Sequence, residues 1–240
     1  RGHGGARPPR EVTRRFEPPD LPRQRRGVTP GMVGRYPDFD VLETAEHWDE
    51  VTRTVVLARV QEVPVRRFFD PREWETLSAL CDHLSGQVGE EPKLSVLAFV
   101  DEKLFLGKRD GYRYFDLPDD GVTWKTVGRG IDEEAERAGG TTFDRLSTHE
   151  QDALCHRFDR GELYGGAWAT LNVKRAFSIV MRDICEAYYS HPWAWNEIGF
   201  GGPAYPRGFA RLGPGQREHW ESPPEFELDP ARDVDERGQG

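Results

Sequence analysis

The sequence predicts an all-α protein: an irregular helical domain of about six helices over residues 38–221, with long ordered aromatic and Gly/Pro-rich loops between them. Three observations carry this. Apolar residues recur at i, i+3 and i+4 in segment after segment. Two helix starts, Asp70-Pro71 with Glu73 and Ser147 with Glu150, are written as capping boxes. No run of alternating apolar and polar residues marks a strand.

Taken in order, residues 1–37 are rich in Arg, Pro and Gly without apolar periodicity, and read as a disordered basic arm or one laid over a partner. Residues 1–38 hold nine arginines against four acids, a net +5 within a chain of net −9. The remainder carries −14, which argues against nucleic acid as the main partner, because such binding is dominated by phosphate neutralisation. Residues 222–240 read as an acidic disordered tail. No run approaches the roughly 18 apolar residues of a membrane span. Arg14-Arg15-Phe16 has the twin arginine of an export signal, but Glu17-Pro18-Pro19-Asp20-Leu21-Pro22 follows where an apolar region is required.

Asp40 and Glu43 make a capping-box pattern, and Leu42, Ala45, Trp48, Thr52, Val55 and Val56 mark one face of a helix running to about Arg59. Asp70 as N-cap, Pro71 at the first helical position and Glu73 start the next, with Phe69 placed to staple onto Trp74. Its stripe is Trp74, Leu77, Leu80, Cys81 and Leu84, ended by Gly86. Val96, Leu97, Val100 and Leu104 follow Ser95 in a short helix closed by Gly107. Asp110-Gly111 is a turn signal, so a small hairpin or an ordered loop is expected between Gly107 and Pro118. Val122, Trp124, Val127, Ile131 and Ala135 define a helix from about Gly121 to Arg137, mildly interrupted by Gly128 and Gly130 and stopped by Gly139-Gly140. Ser147 and Glu150 open another, carrying Ala153, Leu154 and Phe158. The longest stripe, from Leu171 through Val180 to Tyr188, is wide enough to belong to a central helix.

Cys81, Cys155 and Cys185 are odd in number and widely spaced, and Cys81 and Cys185 fall at apolar helical positions, so buried thiols are expected. His149 and His156 lie two turns apart on one helix, about 10 Å along the axis, too far to share a zinc bound at about 2 Å. Asp183, Glu186, His191 and Glu197 form a sharper group. They could bind a hard cation or do acid-base work, or they could cap the helix end and fix the loop beyond it. Gly199-Phe200-Gly201-Gly202 lacks the GxGxxG spacing and the preceding strand of a dinucleotide site. Walker A and GxSxG sequences are absent from the chain.

The stretch from Cys185 to Gly208 sets Tyr188, Tyr189, Trp193, Trp195, Phe200 and Tyr205 among glycines and prolines. Pro192 disfavours helical backbone at His191, so the long helix should stop at Tyr189 or Ser190, with an extended or turned loop after it. Large aromatics in such a loop either fold back on the protein's own core or are offered to a partner.

Glu186-Ala-Tyr-Tyr-Ser-His-Pro-Trp-Ala-Trp-Asn-Glu-Ile-Gly-Phe-Gly-Gly-Pro-Ala-Tyr-Pro-Arg207, with Phe99-Val-Asp-Glu-Lys-Leu104 and Arg109-Asp-Gly-Tyr-Arg-Tyr114 upstream, resembles the small third subunit of the gluconate 2-dehydrogenase type. The likeness extends more weakly over residues 36–221. It implies a non-catalytic subunit without a cofactor or metal of its own. Such a subunit binds and stabilises, or helps mature, a large FAD-dependent dehydrogenase of the glucose-methanol-choline type acting on sugars, sugar acids or alcohols. A cytochrome c subunit is a further partner the resemblance allows. Trp193, Trp195, Asn196, Phe200, Tyr205 and Arg207 are then the expected partner interface, with Tyr112 and Tyr114 as a second place to look. The competing expectation is an independent metal-binding or acid-base enzyme built on Asp183, Glu186, His191 and Glu197. The residues themselves, lacking an export signal, favour a cytoplasmic location; the resemblance, with many exported members, allows a periplasmic one.

Overall fold

Each capping signal in the sequence becomes a helix terminus in the computed structural model, which describes residues 12–15, 40–90, 92–111 and 114–204. The expectations for the rest of the arm, for the acidic tail, and for Tyr112, Tyr205 and Arg207 lie outside the described residues. The chain divides into two units, Arg1–Pro18 with Gln61–Tyr188 and Pro19–Val60 with Tyr189–Gly240. The architecture is all-α.

The larger unit holds a short ribbon and most of the helices. Val12–Arg15 (β1) pairs antiparallel with Glu62–Pro64 (β2). Strands this short carry too few residues for alternation to register, and within the stretch read as an arm Val12, Arg14 and Arg15 pair with Pro64, Val63 and Glu62. Helix α2, Pro71–Leu84, opens on the full capping box: Glu73 N donates to Asp70 Oδ1 at 2.8 Å and Asp70 N to Glu73 Oε2 at 3.0 Å. Phe69, read as a staple onto Trp74, lies against Trp124 with centroids 6.1 Å apart. Helix α3 spans Val96–Phe105, α4 Asp120–Gly139, α5 Thr148–Arg160 and α6 Val173–Tyr189. A second complete capping box, between Ser147 and Glu150, opens α5, and Gly140 and Gly161 close α4 and α5 in the left-handed conformation. Leu77, Leu80, Trp124, Ile131, Phe143 and Phe158 are buried in this unit's core.

The mid-helix glycines of α4 are contacts rather than interruptions. A Cβ on Gly130 would lie 2.5 Å from Trp168 Cε2, so the missing side chain is what lets the indole rest on the helix. Of the hairpin or ordered loop expected between Gly107 and Pro118, the described residues show turns: Gly107 and Gly111 have positive φ, and Leu117 N donates to Tyr114 O at 3.2 Å. Cys81 and Cys155 are buried, but Cys185, expected inside, is exposed on the outer side of α6.

The smaller unit corrects two expectations. The single helix expected from Asp40 is a 3₁₀ segment, Val41–His47, followed by α1, Glu50–Gln61. Asp49 restarts the helix by accepting from Thr52 N at 2.8 Å, and the Arg53 guanidinium donates to the carbonyls of Ala45, Glu46 and Trp48 around the break. The restart shifts the phase of the stripe: Val56 and Val60 are buried, whereas Val55, placed on the inner face by a continuous helix, is 52% exposed beside Val51 at 71%. The second correction lies after α6. Residues Pro192–Ile198, expected as extended or turned loop, form α7. Proline breaks a helix from within but suits its first position, and here it ends one helix and begins the next.

Candidate partner-binding site

Helix α7 is positioned from both ends by groups that the aromatic stretch supplies itself. At its start His191 Nδ1 accepts from Trp193 N at 3.2 Å, an imidazole in the role of N-cap. Burial pushes this imidazole down to about 3, with the Arg59 backbone bond opposing the shift and the Arg59 charge adding to it, so the ring is neutral and able to accept. Arg59 Nη1 also donates to Ser190 O at 2.6 Å. At the other end Gly199, with φ +69°, turns the chain so that Phe200 N reaches Trp195 O at 2.8 Å.

Between these ends the side chains sort by depth. Trp195 joins Val41, Trp48 and Val56 in the unit's apolar cluster, and its Nε1 donates to Tyr189 O at 2.7 Å. Asn196 is buried, accepting from Val41 N at 2.7 Å and donating to Asp40 Oδ1 at 3.2 Å. Trp193 is buried edge-on to His191, and its Nε1 has no hydrogen-bond partner among the described residues. Phe200 stands 45% exposed, its ring edge-to-face with Trp195 at 5.5 Å. Gly202 closes the segment with φ +78°; a Cβ there would come within 2.7 Å of Val41 Cγ2. Of the residues named in this segment that are described, Trp193, Trp195 and Asn196 thus shape and support it from within, and Phe200 reaches solvent. The expected interface set omits Tyr189, Ile198, Val51 and Val55, which are also exposed in this unit; Tyr189 enters the sequence reading as one of the stretch's aromatics and Val55 as part of the helix's apolar face, neither as a contact. Their signal was available in part, since Val51 and Val55 lie one turn apart on a helix.

The larger unit draws the upstream words of the sequence together. Asp101 is fully buried and accepts from three successive backbone N–H groups, Arg67 at 2.7 Å, Phe68 at 3.0 Å and Phe69 at 2.9 Å. Glu102 faces Arg67 at 3.7 Å. Lys103 Nζ meets Asp110 at 2.9 Å, Asp183 at 3.0 Å and Glu186 at 2.5 Å. Arg182 adds contacts to Asp110, Asp120 and Asp183, and Trp124 Nε1 donates to Asp183 at 2.8 Å. Burial would lower the Lys103 ammonium, but hydrogen bonds to Glu186, Asp110 and Asp183 more than offset it and raise the group above the usual lysine range. The segments Phe99–Leu104 and Arg109–Tyr114 therefore meet the end of α6 through one lysine. Carboxylate oxygens of Asp110, Asp183 and Glu186 lie within 4.8 Å of one another, the one metal-like grouping among the described residues. The Lys103 ammonium stands in the place a cation would take. His191, grouped with Asp183 and Glu186 on sequence, serves α7 as its cap instead. Tyr114 is half-buried under the Arg175 guanidinium, 5.1 Å from its ring centroid.

Neither the curated proteins nor the solved structures give a match to this chain. A family model described as gluconate 2-dehydrogenase subunit 3 matches residues 71–202, more than half of the sequence. The match begins at the proline of the first capping box and ends at the glycine that packs on Val41, taking in the Lys103 network and all of α7. The chain belongs to the gluconate 2-dehydrogenase subunit 3 family.

Proposed function

We propose that this chain is a non-catalytic small subunit that binds and stabilises, or assists the maturation of, a large FAD-dependent dehydrogenase of the glucose-methanol-choline type. The partner would hold the flavin and act on sugars, sugar acids or alcohols; a cytochrome c subunit is compatible with the family but is not needed for this reading. Membership of a family described as a subunit supports the reading. The observation that carries it to a surface is the distribution of exposed apolar side chains. Residues 40–60 and 189–204 of the smaller unit hold five of the ten exposed large hydrophobics among the described residues: Val51, Val55, Tyr189, Ile198 and Phe200. Exposed apolar side chains at this density supply what a docking surface is made from. Phe200 and Ile198 would make the contact, with Trp193, Trp195 and Asn196 holding them in place. Tyr205 and Arg207 continue the same segment.

The test is co-expression of the tagged chain with a candidate flavoprotein, purification, and an absorbance spectrum with a metal assay on the complex and on the chain alone. Flavin bands in the complex and neither flavin nor stoichiometric metal in the isolated chain are expected. A flavin or metal retained by the chain alone would overturn the reading, as would failure to associate with any flavoprotein dehydrogenase.

A further inference from the structure

The end of α1 and the start of α7 meet at one imidazole, and the arrangement holds only while the Nδ1 of that ring carries no proton. His191 is 6% exposed, and its Nδ1 accepts from Trp193 N at 3.2 Å. A proton there would set two donors against each other and withdraw the cap from α7. It would also place a buried charge beside Arg59, whose guanidinium is held by its bond to Ser190 O at 2.6 Å. Arg59 is the charged group among the described residues that acts on the ring: burial opposes the proton most, the backbone bond to Arg59 favours it, and the Arg59 charge opposes it again. Asp40, the carboxylate at the start of the 3₁₀ segment, is taken up by Leu42 N and Asn196 instead.

What depends on this cap is the docking edge. Helix α7 has seven residues, about two turns, too few to stand without its cap and its packing. Ile198 is its last residue, and Phe200 N is tied back to Trp195 O at 2.8 Å, so both exposed side chains owe their placement to the helix. The apolar cluster that Trp195 joins comprises Val41, Trp48 and Val56 besides itself among the described residues. Small units of this kind open locally at lower cost than a larger core. Opening frees the imidazole to take a proton as an ordinary histidine does.

We propose that His191 is a proton-operated latch on the docking segment: its neutral ring holds the α7 edge in the shape the flavoprotein partner accepts, and mild acid releases that edge and weakens docking. The proposal rests on the accessory-subunit reading above and adds regulation of the same surface. Its sign follows from linkage. The latched ring stays unprotonated down to about 3 and the released one takes its proton near 6.5, so opening binds a proton between those values. The opening equilibrium should therefore rise about 25-fold from pH 7 to pH 5.

The probe is the flavin-containing large subunit that purifies with the tagged full-length chain, identified by its flavin spectrum and mass. Wild type and His191→Asn are titrated against it at pH 7 and pH 5, each variant compared with itself. The rise in Kd across that step should be at least about fivefold larger in wild type, because only the latched fraction docks. His191→Ser supplies a second neutral cap where the asparagine variant fails to fold. Hydrogen exchange on the free wild-type chain reads the latch without any partner. Protection of Phe200 N–H, corrected for the intrinsic rate, should fall about 25-fold over the same pH step. Equal pH ratios in wild type and the capping variants overturn the latch while leaving the accessory reading intact, and so does protection that is the same at both pH values. If wild type binds no flavoprotein at either pH, the accessory reading falls and takes the latch's role in docking with it.

Discussion

Asn196 fastens the backbone of Val41 across 155 positions of sequence, its Oδ1 accepting from Val41 N at 2.7 Å while its Nδ2 donates to the Asp40 carboxylate at 3.2 Å. That carboxylate in turn accepts from Leu42 N, so one amide joins α7 to the start of the 3₁₀ segment. Asn196→Ala leaves a buried N–H without its acceptor, and the expected cost is about 2 kcal/mol of unfolding free energy. Denaturant titration of the isolated chain checks it, and a midpoint equal to wild type would remove this link from the account of α7.

His191 makes the stability of this segment depend on pH in a stated direction. In the folded chain burial keeps the imidazole neutral down to about pH 3, whereas an ordinary histidine in the unfolded chain takes up its proton near 6.5. Between these values the unfolded state binds more protons. Stability is therefore fully present above about 6.5 and declines as the pH falls toward 3. Asparagine can also cap a helix but does not titrate, so His191→Asn should flatten the curve in that window by close to one proton. Melts of both proteins from pH 7 to pH 4 decide it, and parallel curves would place the titration elsewhere.

Lys103 and Glu186 share an ion pair but not a burial, and removing either should have unequal effects. Lys103 is 11% exposed at its side chain and faces the fully buried Asp183, while Glu186 is 55% exposed. Lys103→Met strands part of a buried negative charge and should cost about 3 kcal/mol. Glu186→Gln should cost about 0.5 kcal/mol or less, because solvent screens that arm of the network. Chemical unfolding of the two variants gives the comparison. Equal losses would mean that Asp183 is served well enough by Arg182 and Trp124 alone.

What could be read in advance follows from the range of each signal. Capping boxes and apolar stripes are local, and the starts at Asp70 and Ser147, with the termini at Gly140 and Tyr189, all stand where the residues put them. The restart at Asp49 was not legible because Asp40 offered an equally good cap nine residues earlier, and nothing local ranks one above the other. The seven residues of α7 hold too few turns for periodicity, and Pro192 reads as a breaker until His191 is seen as the cap. Gly130 as a seat for Trp168 and Asp101 as an acceptor for three N–H groups are tertiary facts, each requiring a second segment whose place in space the sequence does not state. At the site, the stretch was found by its composition, but its division into buried supports and an exposed edge came only from the helix that orders it.

That division makes the docking proposal separable from a purely structural role. Trp195 lies in the apolar cluster with Val41, Trp48 and Val56, so Trp195→Ala opens a cavity and should cost about 3–5 kcal/mol of stability. Phe200 touches the same indole edge-on but leaves 45% of its surface in solvent, and Phe200→Ala should lower stability by no more than about 1 kcal/mol. Against a flavoprotein partner the order should reverse. Phe200→Ala should weaken binding by about 2 kcal/mol, roughly thirtyfold, with helical content kept, because an exposed aromatic on a rigid mount gives up little freedom on docking. Trp195→Ala, measured on its folded fraction, should lose affinity only as far as Phe200 loses its support. Melting temperature and dissociation constant are therefore needed on the same two variants. If Phe200→Ala binds normally while Trp195→Ala unfolds, the aromatic segment is a lid on its own core, and the interface shifts to the loop carrying Tyr114.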